Sequence, residues 1–535
     1  MKTKFIFVTG GVISGLGKGV SAASIGRLLR ARNFDVFALK LDPYLNVDPG
    51  VLSPFEHGEV YVTNDGGETD LDLGHYERFI DQNLSKDSSV TSGKLFSYLI
   101  KNEREGMYNG KTVQIVPHFT DSIKNAILNI ANKYNPDFAI VEIGGTVGDI
   151  ESNSFFYAIA QLKYTMPNNV YFVHTSYVPF LEASKEFKSK PTQHSISILR
   201  ELGINPNLVL LRSHNKVNND IISKIANFSF IEKNSVISIP DFKQVYEMPL
   251  YLEEHNVCQT ILSYFNLEQR NADLTNWKEF VNLISTKYEK DINLALVGKY
   301  VAYDDAYKSI IEALKISSAY QNVNLKIQWI DSETIKSIED AKISIKNIDG
   351  VLILPGFGKR GIEGKILMAN ATRQLNTPTL GICLGMQVMC INQARLKGMI
   401  NATSYEFKTE NKDEIYVLDL IRGKNETDKM GGTLRLGASD TEIKPNTLAH
   451  NIYKEQLISE RHRHRYEISP NYRSKIEDEE FIFSGQEPNS KLAEICELKN
   501  HSFYVGVQYH PEFNARPLRP HPLFNEFIKT IKKDK

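Results

Sequence analysis

Cysteine is scarce in this chain: Cys258, Cys383, Cys390 and Cys496 are the only four in 535 residues, and none falls in a C-x-x-C pair. That excludes a disulfide framework and gives a structural zinc site no support. Net charge is nearly lacking too. The 63 Lys and Arg against 64 Asp and Glu leave −1, so no global field holds nucleic acid or an anionic membrane, and any polyanion site must be local. No apolar run approaches the length of a membrane span. The opening Met1-Lys2-Thr3-Lys4 leads through Phe5–Val8 straight into glycines without a cleavage-site pattern, so no signal peptide is expected. Internal repeats and low-complexity tracts are also missing. A composition of 41% hydrophobic and 24% charged residues argues against wholesale disorder. The length exceeds a single hydrophobic core, so two or more domains are expected in a reduced, cytoplasmic setting.

Short β-branched runs alternate with helical patterns through the first half. Strands are expected at Phe5–Thr9, Val36–Lys40, Val113–Val116, Phe138–Ile143, Val170–His174, Leu208–Leu211 and Val236–Ile239, with helices such as Val20–Arg32 and Ser122–Lys133 between them. Consecutive apolar positions suit strands buried on both faces, and the alternation implies an α/β module with a mostly parallel sheet. The rhythm stops over a polar stretch and restarts at Ile292–Val297, continuing through Leu325–Trp329, Gly350–Leu354, Thr379–Cys383, Ile415–Asp419 and Tyr504–Gln508. The expected division is therefore a domain at 1–265, a linker at 266–290 and a second α/β domain at 291–535. The charged segment Lys408–Lys429 reads as an exposed hairpin and loop.

The first strand runs into Gly10-Gly11-Val12-Ile13-Ser14-Gly15-Leu16-Gly17-Lys18-Gly19, and a helix follows. Glycines let backbone N–H groups turn toward an anion, the helix start adds a favourable dipole, and Lys18 adds a point charge. The pattern differs from a standard P-loop in spacing, and Gly19 stands where a metal-binding Ser or Thr is usual. Metal ligands must then come from elsewhere. The candidates are Asp70 and Asp72 in Glu68–Arg78, and Glu142 at the carboxyl end of a buried strand, where a side chain points at the ligand crevice. Lys40-Leu41-Asp42-Pro43-Tyr44 ends the second strand, and Lys188-Ser189-Lys190-Pro191-Thr192-Gln193-His194 gathers two lysines with hydrogen-bonding side chains at a turn set by proline.

In the second half, Gly381-Ile382-Cys383-Leu384-Gly385-Met386-Gln387 is a thiol version of the nucleophile elbow: the glycines permit the sharp strand-to-helix turn, and the helix start favours a thiolate. Far downstream, His510-Pro511-Glu512 follows a strand, so His510 can serve Cys383 as base and Glu512 can orient the imidazole. Pro355-Gly356-Phe357-Gly358 follows another strand and can offer backbone N–H groups to an oxyanion. The run Glu460-Arg461-His462-Arg463-His464-Arg465-Tyr466-Glu467 reads as substrate or interface contacts rather than a nucleic-acid patch, because it is short and flanked by acids.

Taken together these segments resemble the CTP synthase family, and the resemblance covers essentially the whole chain. It rests on Val8–Gly19, Lys40–Tyr44, Asn46–Gly50, Gly58–Val60, Glu68–Arg78, Val141–Glu151 and Lys190–His194, and then on Gly381–Gln387, Gly431-Gly432-Thr433, Glu460–Glu467 and His510–Glu512. The cysteine elbow and the H-x-E pair occur in all class I glutamine amidotransferases; joined to this amidoligase module they are specific. The resemblance implies ATP-dependent amination of UTP to CTP, the last step of de novo CTP synthesis. A 4-phosphorylated UTP would form in one module, and a glutamyl thioester on Cys383 in the other.

Residue by residue, the resemblance implies phosphate and transfer roles for Lys18 and Lys40, and magnesium ligation by Asp72 and Glu142. Pyrimidine-nucleotide contacts are implied for Ser14, Asp149, Ile150, Glu151, Lys188, Ser189, Lys190, Pro191, Thr192, Gln193 and Lys224. ATP contacts are implied for Gly15, Leu16, Gly17, Lys18, Gly19, Val20, Asp72 and Asp241. Glutamine contacts are implied for Gly356, Leu384, Gly385, Met386, Gln387, Glu406 and Arg465. An ammonia passage near Pro54, His57 and Val60, a lid at Gly358–Gly361, GTP as allosteric activator, CTP as inhibitor, Mg²⁺ with ATP, and a homotetramer with the capacity for filaments are further implications.

The chain departs from the family in one loop, where P-G-G-F-G is shortened to Pro355-Gly356-Phe357-Gly358. Either the loop re-registers with Gly356 donating, or glutamine hydrolysis is weakened. The alternatives are an ammonia-dependent synthase with impaired glutaminase, another amidotransferase with a different acceptor, and a nucleotide-sensing filament protein. The Lys190–His194 segment speaks against a different acceptor, and the complete triad and acidic pair speak against a filament protein with decayed catalysis.

Overall fold

The computed structural model describes residues 2–301, 303–421 and 434–534. Its contacts divide into two units, Met1–Pro49 with Asp72–Val281, and Gly50–Leu71 with Asn282–Lys535. Thus a stretch from the N-terminal half belongs to the second unit.

The first unit holds a seven-stranded, wholly parallel sheet. Its order is Val236–Ile239, Leu208–Arg212, Val170–Tyr177, Lys4–Gly11, Phe138–Ile143, Val36–Asp42 and Ser89–Thr91. The inner strands are buried along almost their whole length, which is why they read as continuous apolar runs. Later parts of the chain add strands on both sides of the central Lys4–Gly11, creating a crevice at the carboxyl ends. Register matters there: Val8 stands beside Glu142, and Glu142 beside Lys40.

Two expectations change in this unit. Val113–Val116 is not a strand; Ile115 and Val116 are exposed, and the chain turns into the helical segment Ile115–Phe119. Three apolar residues before Pro117 mimic a strand, but no strand among the described residues pairs with them. The polar stretch 266–290 carries the helix Thr275–Ser285, whose Trp277 is fully buried against Phe79, Tyr246 and Phe280. Its indole N–H donates to the Tyr246 carbonyl at 3.0 Å. Hence 266–281 packs with the first unit instead of running free.

The second unit is built on a nine-stranded mixed sheet. Asn324–Asp331, Asp291–Gly298, Gly350–Ile353, Thr379–Ile382 and Tyr504–Val507 are parallel neighbours in that order. Ala493–Leu498, Phe481–Gln486, Arg435–Ile443 and Leu457–His464 continue the sheet antiparallel. Ile415–Leu420 belongs instead to a separate three-stranded sheet with Ala402–Ser404 and Tyr466–Ile468. Gly431-Gly432-Thr433 and most of the end of the Lys408–Lys429 loop lie outside the described residues. Glu460–Glu467, read as a contact patch, is largely buried sheet, with Arg461 and His462 fully covered.

Candidate functional sites

In the first unit the glycine loop leaves the central strand and enters the helix Lys18–Arg30, with Gly17 at the N-cap in the left-handed region at φ 78°. Lys18 Nζ donates to the Gly145 carbonyl at 2.7 Å. The turn after Glu142 is tied down as well, since Val147 N–H donates to the Gly10 carbonyl at 2.8 Å. Lys40 Nζ donates to Asp72 Oδ2 at 2.5 Å and to Glu142 Oε1 at 2.8 Å. A Cβ added at Gly19 would lie 2.3 Å from Asp72 Oδ1, well inside contact distance. The missing P-loop hydroxyl therefore has a steric reason: the carboxylates occupy its place.

The cluster is electrostatically tense. Burial lowers the Lys18 pKa, with Lys40 adding to the effect. Burial raises Asp42 to about 6, aided by Asp72 and Glu142. At Asp72 burial acts upward, but Lys40 and His75 outweigh it and hold the group down to about 2. Burial raises Glu142 against the pull of Lys40. Tyr76, one helical turn after Asp72, donates its hydroxyl to Glu142. It went unnoticed in the sequence, although the i, i+4 spacing from Asp72 on a helix was available.

The other residues expected in this unit lie around the same crevice or farther along the sheet edge. Ser14, Ile150 and Glu151 are exposed, and Asp149 Oδ2 accepts from Thr146 N–H at 2.9 Å. Lys190 and Pro191 begin the helix Lys190–Glu201, while Ser189, Thr192 and Gln193 are buried there. Ser176 donates to Thr192 Oγ1 at 3.0 Å. Ser195, on the same helix, lies so close to Gly11 that no side chain fits at that glycine. Lys188 pairs with Glu186, on which the exposed Lys224 also acts. Asp241 sits beyond the sheet's other wing, accepting from Arg212 and His214 at 3.0 Å each.

In the second unit Cys383 caps the helix Leu384–Leu396 with φ 53° and ψ −104°, a strained conformation for a side-chain-bearing residue. Gly385 permits the turn, because a Cβ there would overlap the Ile353 carbonyl oxygen. His510 Nδ1 lies 2.7 Å from Glu512 Oε1. Burial alone would push this imidazole down, yet Glu512 and the Cys383 sulfur raise it to about 10. Gln508 Nε2 lies 3.8 Å from the Cys383 sulfur; it was missed, although it stands two residues before His510 at the same strand end.

A cavity of about 640 Å³ joins Cys383, His510 and Glu512 to Gly356, Glu406 and Arg465; Pro54 and Val60 also line it. Leu384, Gly385, Met386 and Gln387 form the buried first turn behind the thiol, where Gln387 donates to the Tyr466 carbonyl at 2.9 Å. The shortened glycine loop is pinned: Lys299 Nζ donates to the carbonyls of Phe357 and Gly358, and Gly358 N–H donates to Glu406. Gly356 takes φ 150°, which a side chain would resist. Burial brings Lys299 down to about 8.

Residues 4–267 match the family described as CTP synthase N-terminus, and residues 302–530 match glutamine amidotransferase class-I. A CTP synthase from Mycoplasmopsis pulmonis is 58% identical over 99% of this chain and 98% of its own length. The chain belongs to the CTP synthase family. A second relative so named, from Halalkalibacterium halodurans, is 48% identical over 99% of both chains. A solved Trypanosoma brucei CTPS glutaminase domain with bound acivicin is 31% identical, covering 45% of this chain and 94% of that one with a TM-score of 0.42. CTP synthases are glutamine-hydrolysing ligases that convert UTP to CTP, and this chain is an enzyme of that kind. No described helix is long and apolar enough to cross a membrane.

Proposed function

We propose that the two centres perform the two halves of CTP synthesis with the residues they present. The observation that carries this reading is their unlike chemistry within one chain: a lysine–carboxylate cluster beside a glycine loop, and a thiol–imidazole–carboxylate set on an elbow.

In the second unit the Cys383 thiolate attacks the glutamine amide carbon. His510, carrying a proton, delivers it to the departing ammonia, and then takes one from the water that cleaves the thioester. Glu512 keeps the imidazole oriented and charged. Backbone N–H groups of the Gly356 loop and of the helix start are the donors this reading assigns to the developing oxyanion. Glu406 and Arg465 supply opposite charges for the two ends of the amino acid. Lys299 holds the shortened loop by its carbonyls, which favours a working glutaminase over an impaired one.

In the first unit the glycine loop and Lys18 hold the ATP phosphates, and Lys40 stabilises the phosphoryl group passing to the 4-oxygen of UTP. Ammonia then displaces that phosphate. Asp72 and Glu142, hard oxygen donors that crowd against Gly19 and pair with Lys40, would hold Mg²⁺. An ion held by them would neutralise phosphate charge. Ser14, Asp149–Glu151, Lys188–Gln193 and Lys224 serve the pyrimidine nucleotide, and Asp241 serves ATP. Cytoplasmic location, tetramer formation, activation by GTP and inhibition by CTP complete the reading, by kinship with the family.

The test is CTP formation from UTP, ATP, Mg²⁺ and GTP, with glutamine in one reaction and ammonium in another. CTP is expected in both. Product with ammonium alone would remove the glutaminase half, and none in either would overturn the proposal.

A further inference from the structure

Among the described residues the strand Leu457–His464 is an edge strand, paired in its sheet with Arg435–Ile443. In an antiparallel edge strand, backbone groups of alternate residues point away from the ladder, and side chains alternate between faces. Arg461 and Arg463 share one parity. The Arg461 carbonyl accepts from His510 N–H at 2.8 Å. The Arg463 carbonyl oxygen lies 3.8 Å from the Cys383 sulfur. One strand edge thus holds both members of the catalytic pair.

The side chains of the same two arginines hold Gly50–Leu71. Arg461, fully buried, donates from Nε to Asn64 Oδ1 at 2.5 Å and from Nη1 to Tyr61 Oη at 3.1 Å and the Val62 carbonyl at 3.0 Å. Arg463 donates from Nε to Glu68 Oε1 at 2.9 Å and from Nη2 to the Gly50 carbonyl at 2.9 Å. The segment is further seated by Tyr61, whose hydroxyl donates to the Phe513 carbonyl at 3.0 Å, one residue past Glu512. Ala438 N–H donates to the Asn64 carbonyl at 2.8 Å on the partner strand. Gly437, at φ 86°, is the only kind of residue that tolerates this approach, because a Cβ would lie 2.6 Å from the Asn64 oxygen.

We propose that Arg461 and Arg463 are positioning residues of the glutaminase, and that Gly50–Leu71 is the element that sets them. Each arginine reads the segment with its guanidinium and places one catalytic residue with its carbonyl. The glutaminase centre is then complete only when this N-terminal stretch is seated, and residue 72, the next in the chain, is the carboxylate paired with Lys40. This rests on Cys383 and His510 being the glutaminase pair.

The experiment uses the full chain with Asn64→Ala, Glu68→Gln, Arg463→Met and the Glu68→Gln/Arg463→Met double variant. Three quantities are read: kcat and KM for glutamine hydrolysis, the rate of Cys383 alkylation by chloroacetamide, and ammonium-driven CTP formation. Each segment variant is expected to lower glutamine kcat and alkylation by about tenfold, the scale of a small misplacement. The KM for glutamine and the ammonium-driven rate of the segment variants stay as in the unaltered protein. The double variant is expected to be no worse than Arg463→Met alone. Unaltered kcat and alkylation in Asn64→Ala and Glu68→Gln, or losses that multiply in the double variant, overturn the proposal. Absence of glutamine hydrolysis in the unaltered protein would instead count against the glutaminase reading, and alkylation would still decide the positioning role.

Discussion

His510 keeps its proton because Glu512 lies 2.7 Å from its Nδ1 and the Cys383 sulfur adds its own attraction. Its folded pKa of about 10 lies above the ordinary value near 6.5. The pair's contribution to folding is therefore complete below about pH 6.5 and disappears as pH rises through about 10. Glu512→Gln removes the main upward influence, so more of the imidazole is neutral at pH 7 and fewer molecules carry the proton the departing ammonia needs. Glutamine hydrolysis at pH 7 is expected to fall by about 10²-fold, and Cys383 alkylation by chloroacetamide, followed from pH 6 to 10, checks it. In the other unit, Gly19→Ala forces Asp72 from its contact with Lys40. CTP formation is expected to drop by about 10²-fold with either nitrogen source, while glutamine hydrolysis measured without nucleotides is unchanged.

Elements succeed where local pattern and burial agree. The strand Lys4–Gly11 was readable because both its faces are covered. Around Trp277 a short helical pattern was readable too, but not its packing: Trp277, Phe280 and Val281 of the helix Thr275–Ser285 are buried, and Phe79 and Tyr246, which meet that face, lie far back in the chain. Trp277 fills a site walled by Phe79, Tyr246 and Phe280, so Trp277→Ala is expected to cost about 3–5 kcal/mol of the first unit's stability. Urea unfolding followed through that unit's transition checks this, and a loss below about 1 kcal/mol would return the stretch to the status of a linker. The antiparallel strands were missed for a related reason. Leu457–His464 reads as a charged run, and its arginines are buried only because Asn64, Glu68 and backbone carbonyls meet them in space.

Across the whole molecule, nitrogen release and nitrogen use are assigned to different units. Cys383→Ala is expected to abolish CTP formation from glutamine and leave formation from ammonium intact; chromatography of the two reactions checks it, and loss of both in a folded protein would sink the separation. Lys18→Ala is expected to stop synthesis with either donor, since Lys18 belongs to the glycine-loop centre alone.

The sequence by itself determined the parallel inner strands of the two α/β sheets, the glycine loop with Lys18, the elbow with Cys383 and the His510–Glu512 pair. Each of these is a local pattern: consecutive apolar residues make a strand covered on both faces, and glycines at fixed offsets make a turn. Only the tertiary structure decided that Lys40 joins Asp72 to Glu142, that Lys299 pins the shortened loop, and that Gly50–Leu71 belongs with the second unit. Those facts depend on strand register and on groups hundreds of residues apart satisfying one another's hydrogen bonds when buried, and no window along the chain contains both partners.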